Sequence, residues 1–319
     1  MPDLHPFIMF ALGLFMIIKG SDWFVDAVVW LARALKIPDL IIGATLVSIC
    51  TTLPETTVSA GAALKGNTSI ALGNALGSIA CNTGLVLAII IIFAEPLLKD
   101  RAKLQKNGIF LMILLILITA IAFIFKEIPR FAGCLLLAVL AWYLYNNVRE
   151  SLDTREYYAP RGSSRQEKSG ATIAKNLAFF AIGLVLIIWG SDLLVANGEI
   201  IARLAGVPDI VIGLTLTAFG TSLPELMTAI TAIRKQVHGI SIGNILGANI
   251  LNVIWVIGLS ATILPINIDP VTLRLHFPFV FLIVAATVAF TYLSKRRFVR
   301  GQGLFLLAMY AFYLFLTLS

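Results

Sequence analysis

The stretch TTLPE, Thr51 to Glu55, places a carboxylate in the middle of the otherwise apolar run Leu40 to Leu64. A glutamate at the centre of a bilayer-length segment costs at least about 2.5–3.5 kcal/mol to insert, which indicates a functional role. Because Pro54 has no N–H, the carbonyl of Cys50 loses its helical donor. Carboxylate, hydroxyl and free carbonyl oxygens are the ligands that a hard cation prefers. The stretch therefore predicts a cation site inside a membrane.

The same stretch recurs as TSLPE, Thr221 to Glu225, 170 positions further along the chain. The match needs no gap between Gly20–Asn82 and Gly190–Asn252, and about two dozen positions are identical. The identities include Ser-Asp, Pro-Asp and Gly-Asn pairs as well as Pro-Glu, a combination that unrelated membrane helices would not reproduce. We therefore infer an internal duplication.

The composition indicates a polytopic membrane protein. Of the 319 residues, 59% are hydrophobic and 13% charged, whereas soluble domains have about 45–50% and about 25%. The net charge is +7, but the basic residues lie between the hydrophobic runs, so we attribute them to topology and expect no nucleic-acid partner. The first apolar run has no small-residue cleavage site, which predicts no cleavable signal peptide. Cys50, Cys81 and Cys134 lie in apolar segments and are expected to be buried free thiols.

The hydrophobic runs predict ten helices, five in each half of the chain. Their approximate bounds are Phe7–Leu35, Asp39–Lys65 (broken at Pro54), Ile70–Phe93, Ile109–Phe125, Phe131–Val148, Ile173–Leu204, Asp209–Lys235, Ile240–Ile263, Phe277–Leu293 and Gly303–Leu318. The polar stretch 149–172 is predicted to be a solvated cytoplasmic linker between a first repeat, 1–148, and a second repeat, 173–319.

Five crossings per half is an odd number, so the second copy is expected to enter the membrane upside down. With both termini outside and the linker inside, 18 basic residues fall on the cytoplasmic side and five on the outer side. Cytoplasmic loops of membrane proteins usually carry an excess of Lys and Arg, so this distribution supports the predicted topology. The predicted fold is an all-α membrane protein with ten transmembrane helices in two inverted-topology five-helix repeats.

Helical periodicity gathers polar residues on one face of each signature helix. They are Ser48, Thr52, Glu55 and Ser59, with Thr51 beside them, on the second helix; Thr221, Ser222, Glu225 and Thr228 on the seventh; Asn74, Ser78 and Asn82 on the third; and Asn244, Asn249 and Asn252 on the eighth. Single hydroxyls and amides commonly join membrane helices by hydrogen bonds. Two symmetry-related acids, each following a proline, instead predict a functional pair.

Other charged residues are expected to be structural. Asp22 and Asp192 should hold the long first and sixth helices by hydrogen bonds, and Glu199 and Arg203 should form a local ion pair. The histidines show no metal-ligand spacing, so no zinc site is predicted.

With these motifs in view, the chain resembles the cation/calcium exchanger superfamily, most closely its prokaryotic sodium/calcium exchanger branch. The resemblance rests on Gly43–Glu55 with Gly73–Asn82, and on Gly213–Glu225 with Gly243–Asn252. It implies that the second, third, seventh and eighth helices surround four cation positions. The implied function is antiport of Na⁺ against Ca²⁺ by alternating access, without enzymatic activity.

The resemblance also implies roles for individual residues. Glu55 and Glu225 would be the carboxylates shared by calcium and sodium, and Thr51 and Thr221 would offer backbone carbonyls to calcium. The residues that would line sodium or water positions are Thr52, Ser222, Ser78, Asn82 and Asn252. No cofactor is implied: Ca²⁺ and Na⁺ are substrates. We expect a monomer that works in a lipid bilayer, the inner or plasma membrane of a prokaryote.

The chain departs from its relatives at positions that bear on coupling. Asn252 stands where some relatives, including potassium-dependent ones, have an aspartate, and Ala248 stands where a hydroxyl matching Ser78 is expected. Proton-coupled relatives carry an acid at the position of Gly77, so its absence favours sodium over proton coupling. Exchange of protons or of another divalent metal on the same scaffold stays open. A non-transporting cation sensor also stays open, although the short linker contains no signalling domain.

Overall fold

A computed structural model describes residues 4–98, 100–153, 169–206 and 219–318, and these are almost entirely helical. The helices are α1 (His5–Leu35), α2 (Asp39–Thr51), α3 (Leu53–Leu64), α4 (Thr68–Ala94), α5 (Arg101–Phe125), α6 (Arg130–Asp153), α7 (Gly170–Leu204), α8 (Leu223–Arg234), α9 (His238–Ile263), α10 (Thr272–Leu293) and α11 (Arg300–Leu318). Two short strands, β1 (Glu127–Ile128) and β2 (Ile266–Asn267), complete the described structure.

Seven helices in the described ranges are long and apolar enough to cross a membrane, or eight if α2 and α3 are taken as one broken crossing. The all-helical membrane fold is thus confirmed. The predicted seventh helix runs through residues 207–218, which lie outside the described residues, and α8 begins after them. The helix α11 has 19 residues and is not among those seven. The count of ten crossings therefore stays a prediction.

The predicted break at Pro54 is confirmed. The helices α2 and α3 meet at Thr52 with a bend of 44°, and Pro54 lies in the first turn of α3. Proline is tolerated there because its missing N–H would lack a helical acceptor anyway. The break ends one helix and begins another beside Glu55, so the amino end of α3 and its unpaired backbone groups lie at this residue.

The long helices α1 and α7 pack antiparallel through glycines. A methyl group added at Gly13 would lie 2.8 Å from the carbonyl oxygen of Gly190, and one added at Gly20 would lie 2.8 Å from that of Gly183. Side chains larger than hydrogen would therefore force the two backbones apart. The four glycines form two pairs under the 170-residue offset, 13 with 183 and 20 with 190. Gly13 contacts the counterpart of Gly20, and Gly20 contacts the counterpart of Gly13. Reciprocal contacts of this kind are the pattern of a two-fold axis.

Short backbone pairings join the two halves at both ends of the bundle. The strands β1 and β2 pair antiparallel, with Glu127 opposite Asn267, and elsewhere Leu97 forms an antiparallel bridge with Arg297. Under the offset of 170, position 97 corresponds to 267 and position 127 to 297. Exchanging the two halves therefore turns one pairing into the other, as it does for the glycine contacts. Glu95 reinforces the second pairing through Arg300 at 3.0 Å.

Three sequence-based expectations need correction. The fourth predicted helix begins at Arg101 rather than Ile109, because backbone hydrogen bonding continues into a charged turn that hydrophobicity does not mark. Residues 149–153 and 170–172, predicted to be linker, belong to α6 and α7. Cys50 and Cys81 are buried as expected, but Cys134 is exposed on α6.

Candidate cation site

The first carboxylate lies at the kink between α2 and α3. Glu55 occupies the first turn of α3 and is fully buried, as are its neighbours Thr51 and Thr52. The hydroxyl of Thr56 donates to the carbonyl of Thr52 at 2.9 Å, so the kink is held within its own chain segment. A carboxylate at a helix amino end is favoured by the helix dipole.

The second half repeats this arrangement. Glu225 is fully buried in the first turn of α8, with Pro224 before it, and Ser222 precedes the helix. Thr221 is half-buried and is the last of the helical residues 219–221. Asn74 joins the two kinks, because its amide nitrogen donates to the carbonyl of Glu55 at 3.2 Å and its amide oxygen accepts from the hydroxyl of Thr221 at 3.3 Å. The structure thus brings both predicted acids into one buried site.

Polar atoms without a hydrogen-bond partner are concentrated in the predicted ligand set. Neither carboxylate of Glu55 or Glu225 accepts a hydrogen bond from any residue in the described ranges. The other predicted ligands with a buried, unpartnered polar atom are Thr52, Ser78, Asn82, Ser222 and Asn252. Burying a polar group without a partner is costly, and for a charged group far more so. Seven of the nine predicted residues therefore present free oxygens that a cation could satisfy.

Thr51 and Thr221 differ from the other seven because their hydroxyls are engaged. Thr51 Oγ1 donates to Asn244 Oδ1 at 3.0 Å, and Thr221 Oγ1 donates to Asn74 Oδ1 at 3.3 Å. Both hydrogen bonds cross from one half of the chain to the other. Their hydroxyl protons are thus given to asparagines, whereas the role that the resemblance implied for the two threonines concerns their backbone carbonyls.

Wide helical turns begin at two of the site asparagines, a feature that the sequence did not reveal. The helix α4 has a π-helical turn at Asn82–Val86 and α9 has one at Asn252–Ile257, 170 positions apart. Such turns leave backbone groups outside the regular hydrogen-bond ladder and occur often at functional sites. A third wide turn, Gly43–Val47 in α2, is braced by the hydroxyl of Tyr143, which donates to Ala44 O at 3.1 Å.

Within the part of the chain that the structure describes, the two ends of the site differ in access. On one side, a cavity of about 300 Å³ reaches Thr221 and is walled by Pro54, Pro224, Asp192 and Glu199, among others. Asp192 is exposed toward this side rather than holding its helix, which differs from the expectation for it. The expected pair of Glu199 with Arg203 is confirmed at 2.8 Å.

On the symmetry-related side, polar contacts and core packing close the corresponding space. Ser21 Oγ lies 2.9 Å from Thr231 Oγ1, and Lys235 pairs with Asp26 at 2.6 Å. We call these four residues the α1–α8 latch. Asp22 lies 3.9 Å from the same lysine, which is a loose ion pair rather than the hydrogen bond expected of it.

Core packing adds to this closure. Val25 and Cys50 belong to one buried cluster beside the α1–α8 latch, whereas their counterparts Val195 and Gly220 line the open cavity. The described ranges contain no group of three or more His, Cys, Asp or Glu side chains that could hold a metal. The site therefore consists of two carboxylates surrounded by neutral oxygens, a set that suits hard cations rather than zinc or copper.

Comparison with known proteins agrees with this geometry. The family profile described as "Sodium/calcium exchanger protein" matches residues 5–149 and, separately, residues 175–319. The chain belongs to the sodium/calcium exchanger family.

Several relatives match over nearly their full length. The chain is 27% identical to sodium/calcium exchanger MaX1 of Methanosarcina acetivorans, covering 97% of each chain. It is 35% identical to the inner membrane protein YrbG of Escherichia coli, covering 89% of this chain and 87% of that one. The solved sodium-calcium exchanger NCX_Mj superposes with a TM-score of 0.82 at 30% identity, covering 96% of this chain and 97% of that chain. The members of this family are transporters.

Proposed function

We propose that the protein is a secondary antiporter that exchanges Na⁺ for Ca²⁺, with both ions bound between Glu55 and Glu225. The observation that carries the proposal is the pair of fully buried carboxylates whose oxygens lack any donor in the described structure. Two ionised carboxylates without a counter-charge would be strongly unfavourable in this environment. One Ca²⁺ or two Na⁺ would neutralise them.

The neutral oxygens complete the proposed coordination. Thr51 and Thr221 would offer backbone carbonyls to Ca²⁺, because the helical runs break directly after them, at Thr52 and Ser222. The residues assigned to sodium or water positions are Thr52, Ser222, Ser78, Asn82 and Asn252. Ca²⁺ takes six to eight oxygen ligands in flexible geometry, so a mixed carboxylate and carbonyl set suits it.

Two inverted repeats support alternating access. The exchanged glycine and strand contacts, together with two separate matches to the family profile, support a pseudo-two-fold axis that relates the halves. Such an axis lying in the membrane plane is typical of transporters whose site opens alternately to either side. The bias of basic residues supports an orientation with the open cavity at Asp192 outside and the α1–α8 latch in the cytoplasm. The structure would then correspond to an outward-open state.

Sodium-driven calcium uptake tests the proposed exchange. In proteoliposomes loaded with Na⁺, we expect uptake of calcium-45 that stops when the sodium gradient is dissipated. Uptake driven by a proton gradient without sodium would instead establish proton/calcium exchange on this scaffold. Absence of transport with a folded, calcium-binding protein would support the sensor hypothesis.

Charge removal tests the site. Glu55→Gln or Glu225→Gln should each reduce calcium exchange to background, because the amide is nearly isosteric but carries no charge. A contact of unit charges at about 4 Å is worth about 4 kcal/mol at an effective dielectric constant of about 20, or roughly a thousandfold in affinity. The matched control is Glu127→Gln on β1, which should exchange normally. Normal exchange by either site variant would refute the assignment.

A further inference from the structure

The cross-half contacts of Asn74 and Asn244 form a matched pair. Asn244 Oδ1 accepts the hydroxyl proton of Thr51, and Asn74 Oδ1 accepts that of Thr221. Under the 170-residue offset, Thr51 corresponds to Thr221 and Asn74 to Asn244. Each asparagine thus holds the threonine of the opposite half, and the same contact occurs twice.

The other end of each amide is anchored within its own half. Asn244 Nδ2 donates to Thr228 Oγ1 at 3.1 Å, and that hydroxyl in turn donates to the carbonyl of Pro224 at 2.7 Å. Asn74 Nδ2 donates to Ser59 Oγ at 2.9 Å and to the carbonyl of Glu55 at 3.2 Å. Because the amide nitrogens are engaged in this way, the amide oxygens are left facing the two threonines.

The acceptor of each threonine hydroxyl proton decides whether the carboxylate oxygens of the site stay free for a cation. A threonine hydroxyl has one proton and two lone pairs, so its proton goes to one acceptor while its lone pairs stay available. Thr51 and Glu225 are both fully buried in this site, so the Thr51 hydroxyl proton could go either to that carboxylate or to Asn244. If it went to the carboxylate, it would occupy a carboxylate lone pair that a cation needs. Instead the proton goes to Asn244, and both Glu225 oxygens remain without a donor among the described residues.

We propose that Asn74 and Asn244 are positioning residues that hold the protons of Thr221 and Thr51 away from the ion site. The carboxylates and the oxygens of the kinks are thereby kept free for cations. The inference rests on the proposed function and extends it to two residues outside the expected ligand set. An aspartate could accept the threonine proton but could not donate to Thr228 or Ser59, so the role requires an amide.

A double-mutant cycle tests the role of Asn244. Calcium affinity is measured by titration calorimetry in sodium-free buffer for Asn244→Ala, Thr51→Val and the double variant. We expect Asn244→Ala to weaken calcium binding about tenfold, the typical effect of a misplaced buried hydrogen bond. In the Thr51→Val background, where no hydroxyl proton remains to be steered, the same change should have almost no further effect.

Additive losses in the cycle would show that Asn244 only packs the helix, and an unchanged affinity for Asn244→Ala would equally overturn the proposal. The matched control is Asn197→Ala, since Asn197 is also buried but donates to Leu193 O of its own helix at 2.7 Å. Glu225→Gln in the same titration separates the two hypotheses. If that variant binds calcium normally the proposed function fails, whereas if it loses binding and Asn244→Ala does not, only this inference fails.

Discussion

Lys235, directly after α8, forms an ion pair of 2.6 Å with Asp26 of α1 on the side of the site that is closed. Its counterpart under the 170-residue offset is Lys65, whose matching acid position holds Ala196. The same asymmetry affects the hydroxyl contact, because Thr231 corresponds to Gly61. The α1–α8 latch is therefore present on one side of the membrane and missing on the other.

Removing the α1–α8 latch should open the cytoplasmic side. Asp26→Ala with Thr231→Gly gives this side the residues of the outer one and removes contacts worth about 1–2 kcal/mol. Native Cys50, which is buried there, should then react at least about fivefold faster with a cytoplasmic thiol reagent. The measurement uses a Cys134→Ser background, and Lys65→Ala serves as control. An unchanged Cys50 reaction rate would contradict the role of the α1–α8 latch.

Introducing the contacts of the α1–α8 latch on the outer side should also increase the labelling of Cys50. Gly61→Thr with Ala196→Asp would place partners opposite Ser191 and Lys65, and no described atom lies within 4 Å of a methyl group at Gly61. The outer side should close more readily, so Cys50 labelling should rise. The variant Gly61→Ala supplies bulk without a hydroxyl and should leave the labelling rate unchanged.

Cysteine labelling also tests the topology. Lys65→Cys should react with impermeant reagents from outside, and Arg149→Cys only from the cytoplasm, both in the Cys134→Ser background. The two sites lie in the same half of the chain, at ends of helices that the charge bias assigns to opposite sides. If both cysteines were blocked from one side, or if their sides were reversed, the topology that the charge bias predicts for this half would be wrong.

Coupling is expected to depend on Ala248. Two ionised glutamates supply a charge of −2, so a third sodium would leave the loaded site at +1, held by neutral oxygens such as Ser78. Ala248 is fully buried at the position that corresponds to Ser78. We predict three sodium ions per calcium with weakened sodium affinity. Ala248→Ser should lower the half-saturating sodium concentration about fivefold, as expected for one buried hydroxyl contact of about 1 kcal/mol.

The reversal potential of exchange in vesicles with set gradients gives the coupling ratio. An equilibrium that does not depend on the membrane potential would mean two sodium ions per calcium and would exclude the third position. Ala122→Ser on α5, also fully buried, is the control for adding a hydroxyl elsewhere. It should leave the sodium dependence unchanged.

The sequence predicted the features that depend on composition and covalent chemistry. The break at Pro54 followed from its missing N–H, and the burial of Glu55 and Glu225 followed from apolar surroundings and repetition. The family and the ions of its members were also correctly inferred. What these predictions share is that each depends on residues near one another along the chain.

Features that depend on packing were not predictable. The wide turns at Asn82 and Asn252 arise where backbones adjust to neighbouring helices, and no residue type marks them. The partners of Asn74 and Asn244 lie in the opposite half, so periodicity placed these side chains near the site without showing what they hold. The asymmetry of the α1–α8 latch required knowing that α1 faces α8.

The paired strands at the two ends of the bundle bear on how such a chain could arise. Position 97 pairs with 297, and position 127 pairs with 267. An ancestor of half this length could have made both pairings as a symmetric dimer, because residue i of each copy then contacts residue j of the other. In that dimer every residue would have served both faces of the membrane equally. If the chain arose by the proposed duplication, fusion into one gene gave each face of the membrane its own copy of every position. Gly61 and Thr231 could then diverge, and the transporter could acquire a preferred side.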